Sequence, residues 1–130
     1  MPAPSDRKYL ETHEWHKAEG GVVTLGLTRF AVDELTDVTF VQLPTVGSKV
    51  KAGDSIGEIE SVKATSDIYC GVSGEVTAVN DAVAADPGGV NRDPYGAGWL
   101  VKIRVEGKGE IEKMMDAGAY NARYPTDAST

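Results

Sequence analysis

The chain has 130 residues, 41% apolar and 25% charged, the proportions of one ordinary globular domain with one core. Thirteen Lys and Arg against twenty Asp and Glu leave 13 − 20 = −7, which argues against nucleic acid as a partner, because phosphate binding needs clustered cations. The single cysteine, Cys70, cannot form an internal disulfide, and no apolar run approaches a membrane span.

Met1 to Lys8 carries two prolines and mixed charge and reads as a loose lead-in. It has no apolar h-region, so no secretory signal is expected and a reducing cytoplasm is the default compartment. Tyr9–Lys17 is aromatic-rich and predicts a strand, and Ala18-Glu19-Gly20-Gly21 a turn. In Val22–Thr28, Val23, Leu25 and Leu27 alternate with Thr24, Gly26 and Thr28, the period of a half-buried strand. The two runs together predict a hairpin. Thr28 can cap a short helix, Arg29–Leu35, with Phe30, Ala31 and Leu35 near one face. Val38–Leu43 is rich in β-formers and is stopped by Pro44. Val46-Gly47 and Ala52-Gly53-Asp54 break the chain around a short strand, Lys49–Lys51.

Two strand-like runs follow, Ser55–Glu60 and Ser66–Val72, joined by a few short residues with Lys63 at their centre. Such runs make a hairpin, and a hairpin tip is exposed. Lys63 is thereby presented on a rigid projection, a handle for covalent modification. Val50-Lys51-Ala52 and Val76-Thr77-Ala78 lie thirteen residues on either side of it. That weak echo suits two similar β-units folded over one another. Asp81–Ala85 predicts a helical turn ended by Pro87-Gly88-Gly89, and Asn91–Gly98 a loop. Trp99–Val105 is the clearest strand, with Trp99, Val101, Ile103 and Val105 alternating against Leu100, Lys102 and Arg104. Gly107–Gly109 breaks it. Glu110–Tyr120 predicts one helix, with Ile111, Met114, Met115 and Gly118 or Ala119 near one face. The tail after Pro125 is small and polar and is expected to fray.

Short strands without βαβ alternation predict a mostly β sandwich with short flanking helices, one of them C-terminal. Signals for metal or nucleophilic chemistry are poor. His13 and His16 are the only histidines, no zinc pattern or Gly-x-Ser-x-Gly elbow occurs, and no Gly-Lys-Ser/Thr follows Gly88-Gly89. Cys70 reads as a small packing residue, and Trp99 and Tyr95 as anchors. A catalyst is not expected, for want of an acid–base or nucleophile constellation.

Glu60-Ser61-Val62-Lys63-Ala64, followed by Ser66-Asp67-Ile68-Tyr69, resembles the lipoylation segment of the glycine cleavage system H proteins. Further matching segments run in order: His13-Glu14-Trp15, Phe40–Gly47, Val72–Val76, Val90–Leu100 and Asp116–Tyr120. The resemblance implies a barrel-sandwich hybrid of the lipoyl/biotinyl type, with lipoate attached covalently at Lys63. Glu60, Ser61, Val62 and Ala64 are then the residues read by a lipoate-attaching enzyme. The implied partners are a pyridoxal phosphate-dependent glycine decarboxylase that loads an aminomethyl group onto the arm, a tetrahydrofolate-dependent aminomethyltransferase that removes it, and dihydrolipoyl dehydrogenase, which takes the electrons. The carrier itself catalyses none of these steps. In the family the loaded arm folds into a cleft on the carrier, and the matching acidic positions here are Glu14 and Asp67. A monomer is implied, in a bacterial cytoplasm or, as a mature eukaryotic form, in the mitochondrial matrix.

Three departures fall outside Lys63. Thr36 stands where many members have Gly, Cys70-Gly71 replaces a common Ala-Pro pair, and Gly88-Gly89 precedes Val90 where a bulkier Leu is usual. They put local turns and partner affinity in question. A biotinyl carrier is a competing reading, but biotin domains usually flank the lysine with methionines, where Val62 and Ala64 stand here. An H-like lipoyl protein serving lipoate relay or redox signalling, rather than glycine catabolism, stays open at this level.

Overall fold

In the computed structural model, which describes residues 3–106 and 109–124, the first hairpin pairs β2 (Glu14–Glu19) with β3 (Val22–Leu27). Gly20 and Gly21 join them with φ of 58° and 84°. Two successive positive φ values make a type I′ turn, which matches strand twist and is open to glycine at no steric cost. A two-residue strand, β1 (Lys8–Tyr9), pairs with β2, so the expected strand over Tyr9–Lys17 is two strands separated by a turn at Leu10–His13. Thr28 caps α1 (Arg29–Leu35) by accepting from the Ala31 N–H at 3.2 Å. Its buried face is Val32 and Leu35, with Ala31 packed against the core. Phe30 instead turns aside to the His13 and Tyr124 rings.

The remaining strands are β4 (Val38–Gln42), β5 (Lys49–Val50), β6 (Ser55–Ser61), β7 (Thr65–Tyr69), β8 (Gly74–Val79) and β9 (Val101–Arg104). They form two antiparallel sheets. The larger has the order β1-β2-β3-β9-β8-β5 and the smaller the order β4-β6-β7. Val23, Leu25, Val76 and Ile103 of the large sheet and Val41, Ile59 and Ile68 of the small one belong to a single buried cluster. This is the mostly β, barrel-sandwich architecture with short flanking helices that the resemblance implies. The two echoing segments are near neighbours, because β5 pairs with β8.

Several local expectations change. Cys70 and Gly71 leave the sheet, so the second arm of the hairpin ends at Tyr69. Asp81–Ala85 is α2, capped by Asn80, but Pro87 does not open a loop. It precedes α3 (Gly88–Arg92), since proline's fixed φ suits a helix start. The single helix expected over Glu110–Tyr120 is α4 (Gly109–Glu112) and α5 (Ala117–Arg123). Between them Met115 exchanges backbone hydrogen bonds with Tyr9 at 2.8 and 3.1 Å, and Asp116 caps α5 through the Ala119 N–H. A capping aspartate and a pairing site in an extended neighbour together outweigh continuation of the helix. The expected loose lead-in is packed from Ala3, whose backbone bonds Asn121 of α5 in both directions. The tail after Pro125 and the break at Gly107-Lys108 lie outside the described residues.

Candidate functional site

The β6–β7 hairpin is paired from Ser55↔Tyr69 to Glu60↔Thr65. Inward-facing Ile59 and Ile68 are fully buried and anchor it to the core. Gly57 is required in its stem, because a Cβ there would run into the Gln42 carbonyl of β4. Lys63 is exposed at the tip. The tip is built by Ser61. Its hydroxyl accepts from the N–H of Lys63 at 3.2 Å and of Ala64 at 3.0 Å, and its own N–H bonds the Ala64 carbonyl at 2.8 Å. The Val62 N–H reaches across to the Asp37 carbonyl at 3.1 Å, tying the tip to the start of β4. The backbone under Lys63 is therefore held on both sides while its side chain is free to extend.

The other end of β7 is clamped from β2. Alternation along β2 sends Glu14 and His16 to one side and Trp15 to the other. Glu14 is fully buried. One carboxyl oxygen accepts from the Thr12 hydroxyl, and the other from the Tyr69 N–H at 2.9 Å. Burial lifts its pKa from 4.5 to about 7, against the pull of those two donors. His16 Nε2 accepts from the Gly71 N–H at 2.9 Å. That nitrogen must be unprotonated, so the ring is neutral with its hydrogen on Nδ1, which has no partner among the described residues. Burial pulls its pKa from 6.5 down to about 4. Between them the Cys70 N–H bonds the Asp54 carbonyl at 3.1 Å, and the buried thiol donates to the Lys51 carbonyl at 3.2 Å. Burial pushes that thiol up to about 11, an inert packing group rather than a nucleophile. Three successive amides, 69 to 71, are thus tied down where the chain leaves the sheet.

An open cleft of about 730 Å³ lies beside this clamp, walled by Leu10, Thr12, Tyr69, Cys70, Gly71 and Met114, among others. Glu14 is not among the residues that line it, but bonds two that are, Thr12 and Tyr69. Asp67 is exposed and lines a different groove with Gln42 and Glu58. Tyr69 connects the two acids, its N–H on Glu14 and its hydroxyl on Asp67 at 3.3 Å. Asp67 and Tyr69 lie two and four residues along β7 from its start at Thr65, about 7 and 13 Å at ~3.3 Å per strand residue. The structure thus brings Lys63, Glu60, Ser61, Val62 and Ala64 together at the tip, and Glu14 and Asp67 together only through Tyr69. Thr12, Tyr69 and His16 were not singled out from the sequence for this region. The two-residue spacing of Glu14 and His16 on a strand is the one signal that pairs them.

The comparisons agree along nearly the whole chain. The family model described as "Glycine cleavage H-protein" matches residues 7–127. The glycine cleavage system H protein of Beutenbergia cavernae is 49% identical over 122 residues, covering 94% of this chain and 96% of the relative. That of Thermus thermophilus is 43% identical over 128 residues, covering 98% and 100%. The crystal structure of a glycine cleavage system H protein from Mycobacterium marinum superposes with a TM-score of 0.85 at 41% identity, covering 93% of this chain and 98% of that one.

Proposed function

The chain belongs to the glycine cleavage H-protein family, a carrier component rather than a catalytic one, and we propose that it carries lipoate joined in an amide to Nζ of Lys63. The observation that carries this reading is the tip itself. Lys63 is exposed and makes no ion pair among the described residues, on a turn whose backbone Ser61 and Asp37 hold still. A carrier needs a fixed base and a free arm, so that each partner meets the reactive end at raised effective concentration. Acylation removes the ammonium charge, taking −7 to −8.

When attached, the lipoyl group supplies a dithiolane that takes up an aminomethyl group and electrons. This chain's residues bind and orient. Asp67, exposed along the path from the tip, offers a carboxylate to a cationic end group. Glu14 holds the Tyr69 amide and so fixes the wall of the cleft in which a loaded arm is sheltered. In this reading the partners are the glycine decarboxylase, the aminomethyltransferase, dihydrolipoyl dehydrogenase and the lipoate-attaching enzyme, met by a monomer in a bacterial cytoplasm. No helix of the described residues is long and apolar enough to cross a membrane.

Intact-mass measurement of the protein made in cells supplied with lipoate tests the reading. A lipoyl increment is expected on the wild type and none on Lys63→Arg; a wild type without it sinks the proposal. Loading by the decarboxylase in a reconstituted system then separates glycine catabolism from a lipoate relay.

A further inference from the structure

The outer face of the small sheet is built against its own stability. Two cross-strand rows stand on it, Phe40–Glu60–Thr65 and Gln42–Glu58–Asp67. Glu58 lies directly opposite Asp67, and like charges across an antiparallel pair repel. Glu58, Glu60 and Asp67 form no ion pair among the described residues, and none of the six row residues is a cation. Phe40, in the row nearer the tip, is 47% exposed, and Val62, beside Lys63, is 70% exposed. They are two of the three large apolar side chains left so open among the described residues. Asp67 accepts from the Tyr69 hydroxyl, but no cation neutralises it or the two glutamates, and an aromatic ring in water beside such carboxylates is the pattern of a contact surface: an apolar anchor with a charged rim.

We propose that this face is the docking surface for the enzyme that acylates Lys63, and that the enzyme meets it with an apolar pocket for Phe40 rimmed by Lys or Arg. The inference rests on the lipoyl-carrier reading. Reach selects this partner over the others. An enzyme that works on the distal end of the arm can stand off from the hairpin by the length of the arm. The acylating enzyme must bring its activated acyl group to Nζ itself, one side-chain length from the backbone, and so must lie against the tip and the strands that carry it. The transfer forms the C–N bond at Nζ, breaks the bond between the acyl carbon and the phosphate oxygen of a lipoyl adenylate, and releases AMP and a proton. Complementary charge on the enzyme would relieve the Glu58–Asp67 repulsion and speed encounter.

The test is the kcat/KM for lipoylation by a purified lipoate–protein ligase supplied with ATP and lipoate, followed by intact mass. Phe40→Ser is expected to lower it about tenfold or more, mainly through KM, at an unchanged melting temperature, as loss of an interface anchor does. Glu58→Lys is expected to lower it severalfold at low salt, the gap narrowing as salt screens the rim. Glu19→Lys, the same charge change at the far end of the large sheet, is expected to stay within about twofold of wild type. A Phe40→Ser protein acylated at the wild-type rate overturns the proposal, as does a Glu19→Lys loss equal to that of Glu58→Lys. A wild type that takes up no lipoyl group overturns the carrier reading as well, which distinguishes the two failures.

Discussion

On the outer face of the large sheet Arg104 meets Glu75 at 3.0 Å across β9 and β8, and Lys102 reaches the Thr24 hydroxyl at 2.9 Å. On the outer face of the small sheet Glu58 stands opposite Asp67, and Phe40 stands in solvent. Both sheets share one core and have the same inward alternation, so the contrast does not come from folding requirements. A sheet surface that serves only its own chain settles into favourable cross-strand pairs. One that must leave room for another molecule keeps unsatisfied chemistry on view. The seam between the sheets, where β2 grips the end of β7, connects the two regimes.

The seam carries the largest expected effect. Folded Glu14 binds its proton more tightly than the unfolded chain does. Its share of stability is therefore complete below pH 4.5 and is lost as the pH rises through about 7, roughly 3 kcal/mol at ~1.4 kcal/mol per pKa unit. His16 binds its proton less tightly when folded, so its share is complete above pH 6.5 and is lost as the pH falls through about 4. The two slopes oppose each other between pH 4.5 and 6.5. Removing one exposes the other: Glu14→Gln should gain roughly 3 kcal/mol on wild type between pH 4.5 and 7, read by denaturant unfolding across the pH series. Parallel profiles would mean that the clamp is not buried chemistry at all.

A smaller effect sharpens the small-sheet side. Thr36, just ahead of β4, has φ 62° and ψ −144°, a region in which a β-branched side chain is strained. Its neighbour Asp37 holds the Val62 amide, so the strain sits next to the tip. Thr36→Gly should stabilise by about 1 kcal/mol, seen as a raised melting temperature, after the extra backbone entropy of glycine is discounted. A lowered melting temperature would show that the Thr36 side chain earns its place.

The smallest pair of effects addresses the contrast directly. Glu58→Lys converts a repelling pair into an attracting one and should stabilise by about 0.5 kcal/mol, while Arg104→Glu does the reverse on the large sheet and should destabilise by a similar amount. Both are measured by chemical denaturation at low salt and should shrink at high salt. If the two changes have the same sign, the faces do not differ as described.

Much of this molecule was legible in local pattern. The two-residue period of Val23, Leu25 and Leu27, the Gly20-Gly21 turn, the Thr28 cap and the short polar link around Lys63 are each read within a few residues, and each appears where expected. The split of Glu110–Tyr120 was not, because the competing partner for Met115 is Tyr9, more than a hundred residues away in sequence. The roles of Glu14 and His16 were hidden for the same reason. Nothing in a strand of alternating Glu, Trp and His says which side meets the exit of another sheet.

By itself the sequence determined the strand periods, the exposed lysine at a hairpin tip and, through segments matching along the chain, the family. These depend on residues close in sequence or on order alone. Only the tertiary structure decided that Glu14 is a buried clamp, that Asp67 looks into a different groove, and that Phe40 shares an uncompensated acidic face with the strands that carry Lys63. Burial and cross-strand neighbours are set by register between distant strands, and a shift of one residue there would send each of these side chains to the opposite face.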